Sequence, residues 1–253
     1  MEAAPHDPQS VLVSTRDAGV LTLTLNRPDQ RNALDHVLAR RLLDALSGAA
    51  ADPTLRVLVL TGSGTAFCAG DDLAATARWR AGEYADTPAD PRTHEHLYLA
   101  VCRNLLTLPV PVVIAANGPA IGAGLSLLCA ADHRIAVRDA VFGTPALRHG
   151  HLGDATLLTR TVGPAQATRL YLTGATLEAE EAARIGLVDR VVAAEELPTA
   201  VATTAADLAA LPPGAFALFK RLREQVLHAP TDVALLLQDR GHHESHRLNG
   251  GRT

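Results

Sequence analysis

The alternation of strands and helices along the sequence predicts an α/β fold. Residues 20–25 alternate apolar and polar side chains with a period of two, which is typical of a half-buried strand. Residues 35–49 then carry apolar side chains at helical spacing, with Asn32 or Asp35 available as the helix cap. Residues 57–62 form an apolar run that predicts a buried strand. Because two strands joined by a helix are the repeating unit of an α/β core, this class is the first expectation.

The rest of the chain continues this pattern and then becomes mainly helical. Residues 111–117 predict another strand, and a glycine-rich turn at 118–124 leads into a helix at 125–130. Beyond Pro164, helices are predicted at residues 165–172, 178–185, 197–211 and 213–248, the last of them broken at Pro230. We expect a core domain at residues 1–195 and a helical region at 196–253 that covers a neighbouring subunit.

Composition and charge exclude several classes of protein. Of the 253 residues, 47% are hydrophobic and 20% are charged, as expected for one globular domain with or without an appendage. The net charge is -4 and Lys and Arg form no run, so neither a nucleic-acid partner nor a basic membrane patch is expected. The first ten residues are polar and no apolar run is long enough to cross a membrane, which predicts a cytoplasmic protein. Three cysteines without a CxxC pair predict reduced thiols and no structural zinc.

Two glycine-containing loops carry the chemistry. The first, residues 67–73, follows a predicted strand, and the second, residues 117–124, opens a predicted helix. Small residues there let backbone N–H groups approach a ligand closely, and two such loops can share one oxyanion. Stabilising a developing oxyanion is commonly the largest single contribution to catalysis. For each loop taken alone, the alternative is a tight turn selected only for packing.

Together with their flanking residues, these loops resemble the crotonase superfamily, also called the enoyl-CoA hydratase/isomerase family. The resemblance covers most of the chain and follows six landmarks in the family's order. They are residues 25–28 with 32–34, residues 67–73, residues 111–131, residues 162–174, residues 182–188 and residues 191–192.

The resemblance implies a fold, a substrate class and an assembly. The fold is the crotonase (ClpP/crotonase-like) spiral of ββα repeats, with a C-terminal helical region used for oligomerisation as a homotrimer or a dimer of trimers. The substrate is an acyl thioester of coenzyme A, or of a carrier-protein arm, so coenzyme A enters as part of the substrate. The family's enolate chemistry requires no metal and no redox cofactor.

Particular residues receive roles from the same resemblance. The backbone amides of Asp71 and Ala123 hold the thioester oxygen. The remaining positions are implied to contact the nucleotide, with Arg27, Arg31 and Ala33 near the pyrophosphate and Ala69, Asp72 and Leu73 near the adenine.

Two departures from the family pattern bear on the reaction. Hydratases of the family use two glutamates to deliver water across the double bond, and the matching positions here are Ser126 and Ala146. Neither side chain is a general base at neutral pH without help, so ordinary hydration is not the first expectation.

Asp154 occupies a position where several isomerases and dehalogenases of the family keep a carboxylate. One carboxylate that faces an enolate can take a proton from one carbon and return it to another, as double-bond migration requires. A cap for the helix predicted to start near residue 155 is the alternative role for this side chain. His149 and His151 are near Asp154 in the sequence and offer a second acid or base, since histidine is the side chain most often used for proton transfer. The Asp71 side chain offers a second carboxylate.

Four hypotheses follow. The preferred one is an isomerase-type enzyme in which Asp154 carries the proton. The others are a non-catalytic acyl-CoA-binding protein, a decarboxylase or dehalogenase-like enzyme that cleaves a C–C or C–halogen bond, and a hydratase that uses different residues.

Overall fold

A computed structural model describes residues 10–81, 96–150, 152–153, 155–212, 214–227 and 229–248. Its first half contains, in chain order, β1 Leu12–Asp17, β2 Val20–Leu25, α1 His36–Ala51, β3 Val57–Gly62, α2 Leu73–Arg80, α3 Leu97–Thr107, β4 Val112–Ala116, β5 Ala120–Ile121 and α4 Ala123–Cys129. Its second half contains β6 His133–Val137, β7 Val141–Gly143, α5 Ala155–Thr173, β8 Thr176–Glu178, α6 Ala179–Arg184, β9 Arg190–Val192, α7 Leu197–Ala209, α8 Ala215–Val226 and α9 Thr231–Leu248.

The strands form two sheets. Six of them lie in the order β1-β2-β3-β4-β6-β9, and every neighbouring pair is parallel except β1 with β2. The second sheet has the order β5-β7-β8. Strand β4 is buried along its whole length, as is the apolar part of β3, which agrees with the apolar sequences predicted for buried parallel strands. The predicted α/β class is therefore confirmed.

Helix α1 shows how local sequence produced a predicted element. Asp35 is its N-cap, and the Asp35 carboxylate accepts a hydrogen bond of 2.8 Å from the Leu38 N–H. Most of the apolar residues at helical spacing are buried, and α1 packs against α3, whereas Val37 in the first turn is 41% exposed. Asn32, the other cap candidate, is instead completely buried in the loop before the helix.

The region beyond Pro164 contains more strand than we predicted. Strands β8 and β9 have three residues each and pair with β7 and β6. Segments this short have too few residues for a period-two pattern, so the sequence did not reveal them. The helices α6, α7, α8 and α9 lie where helices were predicted. Helix α5 begins at Ala155, where a helix start was predicted, and continues through a kink at Gly163 into the helix predicted at residues 165–172.

The C-terminal helices are attached to the core by a buried ion pair. Lys220 of α8 is 2% exposed. Its Nζ lies 2.7 Å from the Asp132 carboxylate and donates to the Leu105 carbonyl at 2.8 Å. Arg223 contacts the other carboxylate oxygen at 3.2 Å. Helix α9 packs on α8, and the boundary between the core and this helical region at residue 195 stays a prediction.

The sheet brings three loops to one edge. Strands β2, β3 and β4 are parallel neighbours, so their carboxyl ends lie side by side. The loops that follow them are residues 26–35, 63–72 and 117–122. In open parallel sheets ligands bind beyond the carboxyl ends of the strands, which makes this edge the place to look for a site. None of the helices in the described ranges has the length and apolar character needed to span a membrane.

Candidate active site

The two predicted loops lie against each other at this edge. Cys68 and Ala120 form a bridge in which the Ile121 N–H donates to the Cys68 carbonyl at 3.0 Å. The N–H groups of Phe67 and Cys68 both donate to the Pro119 carbonyl at 3.1 Å. The sequence predicted two loops suited to one ligand, and the structure joins them through backbone hydrogen bonds.

Two glycines allow this close approach. A Cβ on Gly124 would lie 2.2 Å from the Cys68 carbonyl oxygen, and one on Gly70 would lie 2.7 Å from the Ile121 carbonyl oxygen. Gly70 also has a φ of +96°, which L residues rarely adopt. Any side chain at either position would push the two loops apart.

The two predicted oxyanion donors lie on neighbouring segments of the two loops. Leu34 donates to the Gly70 carbonyl at 2.7 Å and accepts from the Asp72 N–H at 2.9 Å. Since successive N–H groups of an extended chain alternate in direction, the Asp71 N–H between them points away from Leu34. The Ala123 nitrogen is 3.4 Å from the position that a Cβ on Gly70 would occupy, so Ala123 lies beside the loop that carries Asp71.

Ala123 is also the first residue of α4, and Gly122, with a φ of +55°, precedes it. The first internal hydrogen bond of this helix runs from the Ser126 N–H to the Gly122 carbonyl, at 3.1 Å. The Ala123 amide is therefore one of the N-terminal amides that the helix itself does not use. The oxyanion role of Asp71 and Ala123 stays a prediction, and the geometry is compatible with it.

The two hydratase positions contain no carboxylate and are accounted for by packing. Ser126 is 4% exposed, and its hydroxyl lies 3.4 Å from the Gly122 carbonyl of its own helix. Ala146 begins a short 3-10 helix, Ala146–His149. A Cβ on Gly153 would lie 2.8 Å from the Ala146 methyl group, so the chain at Gly153 runs directly beside this position.

The predicted acid and base residues are only partly within the described ranges. Asp154 and His151 lie outside the described residues, and their predicted roles stay predictions. His149 ends the 3-10 helix with an exposed side chain. The Asp71 side chain is exposed and borders a cavity of ≈ 60 Å³ together with His36, His96 and Tyr98.

The residues expected near the nucleotide come from two loops that the structure brings together. The Ala69 N–H donates to the Arg31 carbonyl at 3.0 Å, which joins the 26–35 loop to the 67–73 loop. Arg31 is exposed with a φ of +51°, and Leu73 is 69% exposed. Ala33 is 9% exposed. Their contacts with a nucleotide remain predictions.

Arg27 has a different environment from the exposed Arg31. Its side chain is 13% exposed, and its guanidinium lies 2.9 Å from the Asp72 carboxylate and 3.3 Å from the Asp35 carboxylate. Burial by itself would raise the pKa of Asp72, but hydrogen bonds from the Ala75 N–H and from Arg27 outweigh it and lower the pKa below its usual value. Asp72 is therefore held as a carboxylate.

Asn32 is a structural residue of the site that sequence reasoning missed. Its Oδ1 accepts from the Arg27 N–H at 2.9 Å, and its Nδ2 donates to the Ser63 and Ala66 carbonyls at 2.9 and 2.8 Å. The side chain therefore joins the loops that follow β2 and β3. Its place in the 32–34 landmark was a signal, although we interpreted it only as a possible helix cap.

In the described part of the chain, the structure indicates neither a cysteine nucleophile nor a metal site. Cys68 is completely buried, and this burial raises the pKa of its thiol to about 12, so it is protonated at neutral pH. Cys68, Cys102 and Cys129 are all buried, and the structure joins none of them in a disulfide. Among the residues that the structure describes, no group of three or more His, Cys, Asp or Glu side chains is arranged to hold a metal ion.

Comparison with known proteins identifies what the chain resembles. The family model described as Enoyl-CoA hydratase/isomerase matches residues 15–247. A protein of Mycobacterium tuberculosis named probable enoyl-CoA hydratase is 34% identical over 241 residues, which are 94% of this chain and 90% of the relative. The 1,2-epoxyphenylacetyl-CoA isomerase of Escherichia coli is 36% identical over 221 residues, 83% of this chain and 80% of that protein.

Solved structures agree with the sequence comparison. The enoyl-CoA hydratase of Mycobacterium smegmatis superposes with a TM-score of 0.83 at 31% identity, covering 94% of this chain and 91% of that one. The predicted fold, the crotonase spiral with a C-terminal helical region, is thereby confirmed.

Proposed function

Because the chain belongs to the enoyl-CoA hydratase/isomerase family, we propose that it converts an acyl-CoA thioester by isomerase-type proton transfer through an enolate. In this proposal the Asp71 and Ala123 amides polarise the thioester carbonyl, and Asp154 carries the proton. Coenzyme A is part of the substrate, and a carrier-protein thioester that presents the same pantetheine arm is the alternative form.

The observation that carries the proposal is the chemistry of the two hydratase positions. A serine whose hydroxyl lies against its own helix and an alanine methyl group cannot activate water as a pair of glutamates does. Hydration needs a base to activate water and an acid to protonate the carbon. Proton transfer within an enolate needs one group only, because the same carboxylate removes a proton from one carbon and delivers it to another.

The position of Gly153 supports Asp154 as that group. Gly153 packs against Ala146, and Asp154 is the next residue in the chain. Asp154 thus follows, in the chain, the residue that contacts the position where a hydratase of this family has a glutamate. The similarity to the Escherichia coli protein also favours isomerisation, since that relative is named an isomerase of a CoA thioester.

The proposed assembly is a homotrimer or a dimer of trimers. Apolar side chains on the C-terminal helices support it, because Phe219, Leu235 and Leu236 are 56%, 64% and 63% exposed in the single chain. Burying such a surface against another copy removes apolar area from water, which favours association.

The experiment compares the wild type with Asp154→Asn on a panel of 2-enoyl, 3-enoyl, malonyl-type and aromatic CoA thioesters in deuterated buffer. Product mass and ultraviolet absorbance are followed. We expect a product of unchanged formula that has gained deuterium in the wild type and a loss of turnover of about 10²–10⁴-fold in Asp154→Asn, with thioester binding retained. Ser126→Ala is the matched control, and it should keep wild-type turnover.

Other outcomes identify the competing functions. Addition of water would establish a hydratase that uses different residues, and loss of carbon dioxide or halide would establish a cleaving enzyme. Binding of several thioesters without any product would favour a non-catalytic acyl-CoA-binding protein. Full turnover in Asp154→Asn would refute the role of this carboxylate.

A further inference from the structure

The Arg27 guanidinium lies between two carboxylates, each of which starts a helix. The Asp35 carboxylate accepts from the Leu38 N–H at 2.8 Å at the beginning of α1. The Asp72 carboxylate accepts from the Ala75 N–H at 2.9 Å at the beginning of α2. Each uses its other oxygen for Arg27, at 3.3 Å for Asp35 and 2.9 Å for Asp72.

This arrangement engages both terminal nitrogens of the guanidinium. One terminal nitrogen of Arg27 faces both carboxylates, and the other terminal nitrogen donates to the Ala33 carbonyl. The two carboxylates are themselves largely shielded, with side-chain exposures of 15% for Asp35 and 12% for Asp72. A pyrophosphate that approached Arg27 would therefore meet two negative groups held at short range and would have to compete with them.

The ion pair acts on the loop that bears a proposed oxyanion donor. Asp72 directly follows Asp71, and the peptide from Gly70 to Asp72 is held on one side by both backbone groups of Leu34. Arg27 itself is fixed at its N–H by the buried Asn32, at 2.9 Å. The ion pair between Arg27 and Asp72 thus connects the backbone that Asn32 holds to the residue that follows Asp71.

We propose that Arg27 is a positioning residue, which holds the Asp71 amide in register with the Ala123 amide through Asp72, instead of contacting the nucleotide. This inference rests on the proposed function, because it assumes that the two amides polarise the thioester carbonyl. Small displacements of such groups have large effects, since a misplacement of about 1 Å can cost roughly 10²-fold in rate.

The test separates positioning from nucleotide binding by removing the nucleotide from the substrate. Arg27→Met and Arg31→Met are compared on the same acyl group carried either by coenzyme A or by pantetheine, which lacks the pyrophosphate and adenine. Positioning predicts that Arg27→Met lowers kcat about 10- to 100-fold on both thioesters with little change in KM. The exposed Arg31 is the contrast, and Arg31→Met should raise KM for the CoA thioester alone.

A spectroscopic measurement makes the test independent of turnover. An arylacryloyl-CoA thioester absorbs at longer wavelength when hydrogen bonds polarise its carbonyl, so its red shift on binding reports the oxyanion site directly. We expect Arg27→Met to bind this probe but to lose most of the red shift, and Arg31→Met to keep the shift at weaker affinity. If the wild type shows the shift without converting any thioester, the isomerase proposal fails while this inference is still decided by the variants.

Asp72→Asn covers the case in which Arg27→Met does not fold. Asparagine keeps the cap for α2 but removes the charge that pairs with Arg27. Asp72→Asn should lose part of the red shift. Arg27→Lys should keep part of the red shift that Arg27→Met loses. If Arg27→Met keeps kcat and the red shift and raises KM for the CoA thioester alone, the inference is overturned in favour of nucleotide contact. Absence of any red shift in the wild type would overturn it as well.

Discussion

The close approach of Gly124 to Cys68 offers a quantitative test of how the two site loops are held. A methyl group on Gly124 would lie 2.2 Å from the Cys68 carbonyl oxygen, whereas real Cβ atoms essentially never come within 3.0 Å of such a neighbour. Gly124→Ala therefore requires the loops to separate by roughly 0.8 Å, because the obstacle is backbone and cannot rotate away. We expect the free energy of unfolding to fall by about 1–3 kcal/mol.

The same displacement should affect catalysis. It moves Cys68, two residues before Gly70, relative to the helix that begins at Ala123, so it alters the spacing of the two proposed oxyanion donors. Since about 1 Å of misplacement can cost roughly 10²-fold, a comparable loss of kcat is expected. Turnover is measured on a CoA thioester that the wild type converts, and stability is measured by urea unfolding and by Tm, which should fall by roughly 2–12 °C.

Gly48→Ala is the matched control for this change. Gly48 also lies in a helix, α1, but it is exposed and a Cβ there would have no heavy atom within 4 Å. The substitution should stabilise the protein by about 0.5–1 kcal/mol, because alanine is the better helix former, and should leave kcat unchanged. If both variants had the same stability and the same kcat as the wild type, the argument from close approach would be refuted.

Two further predictions concern buried charge and pH. Asp132→Ala should cost about 3–5 kcal/mol in urea unfolding, because it leaves the nearly buried Lys220 ammonium without its partner. Glu180→Ala is the control, because it breaks an ion pair with Arg138 in which the side chains are 56% and 66% exposed. Its free energy of unfolding should stay within about 0.5 kcal/mol of the wild type. Equal losses of stability in the two variants would contradict the argument from burial. The thiol of Cys68 has an ordinary pKa of 9.0 in the unfolded chain and a pKa of about 12 in the folded protein. As pH rises, the thiol therefore loses its proton in the unfolded state first. The free energy of unfolding should fall as pH rises from 9 toward 12. Cys68→Ala should weaken this alkaline dependence, and rapid alkylation of Cys68 in the folded protein at pH 8 would show that the thiol is not protected.

Much of the fold was predictable from the sequence because it depends on local pattern. The period-two residues of β2, the apolar run of β3 and the helical spacing of α1 with its Asp35 cap all depend on neighbours a few positions away. The glycine loops were predictable for a similar reason. Only glycine adopts a φ such as the +96° of Gly70 without strain, so its presence marks a special backbone position.

The parts that escaped prediction depend on partners distant in the chain. Strand β9 has three residues and exists because β6 lies beside it, and no pattern of three residues can indicate such pairing.

What the sequence by itself determined was the α/β class, the family resemblance and the two loops suited to one oxyanion. Tertiary structure decided which charges meet. A sequence shows that Arg27 and Arg31 are both arginines, but only the packing of the loops after β2 and β3 surrounds one of them with Asp35 and Asp72 and leaves the other exposed. The physical reason is that Coulomb interactions depend on distance and burial in three dimensions, and neither quantity is encoded by a residue's type or its neighbours in the chain.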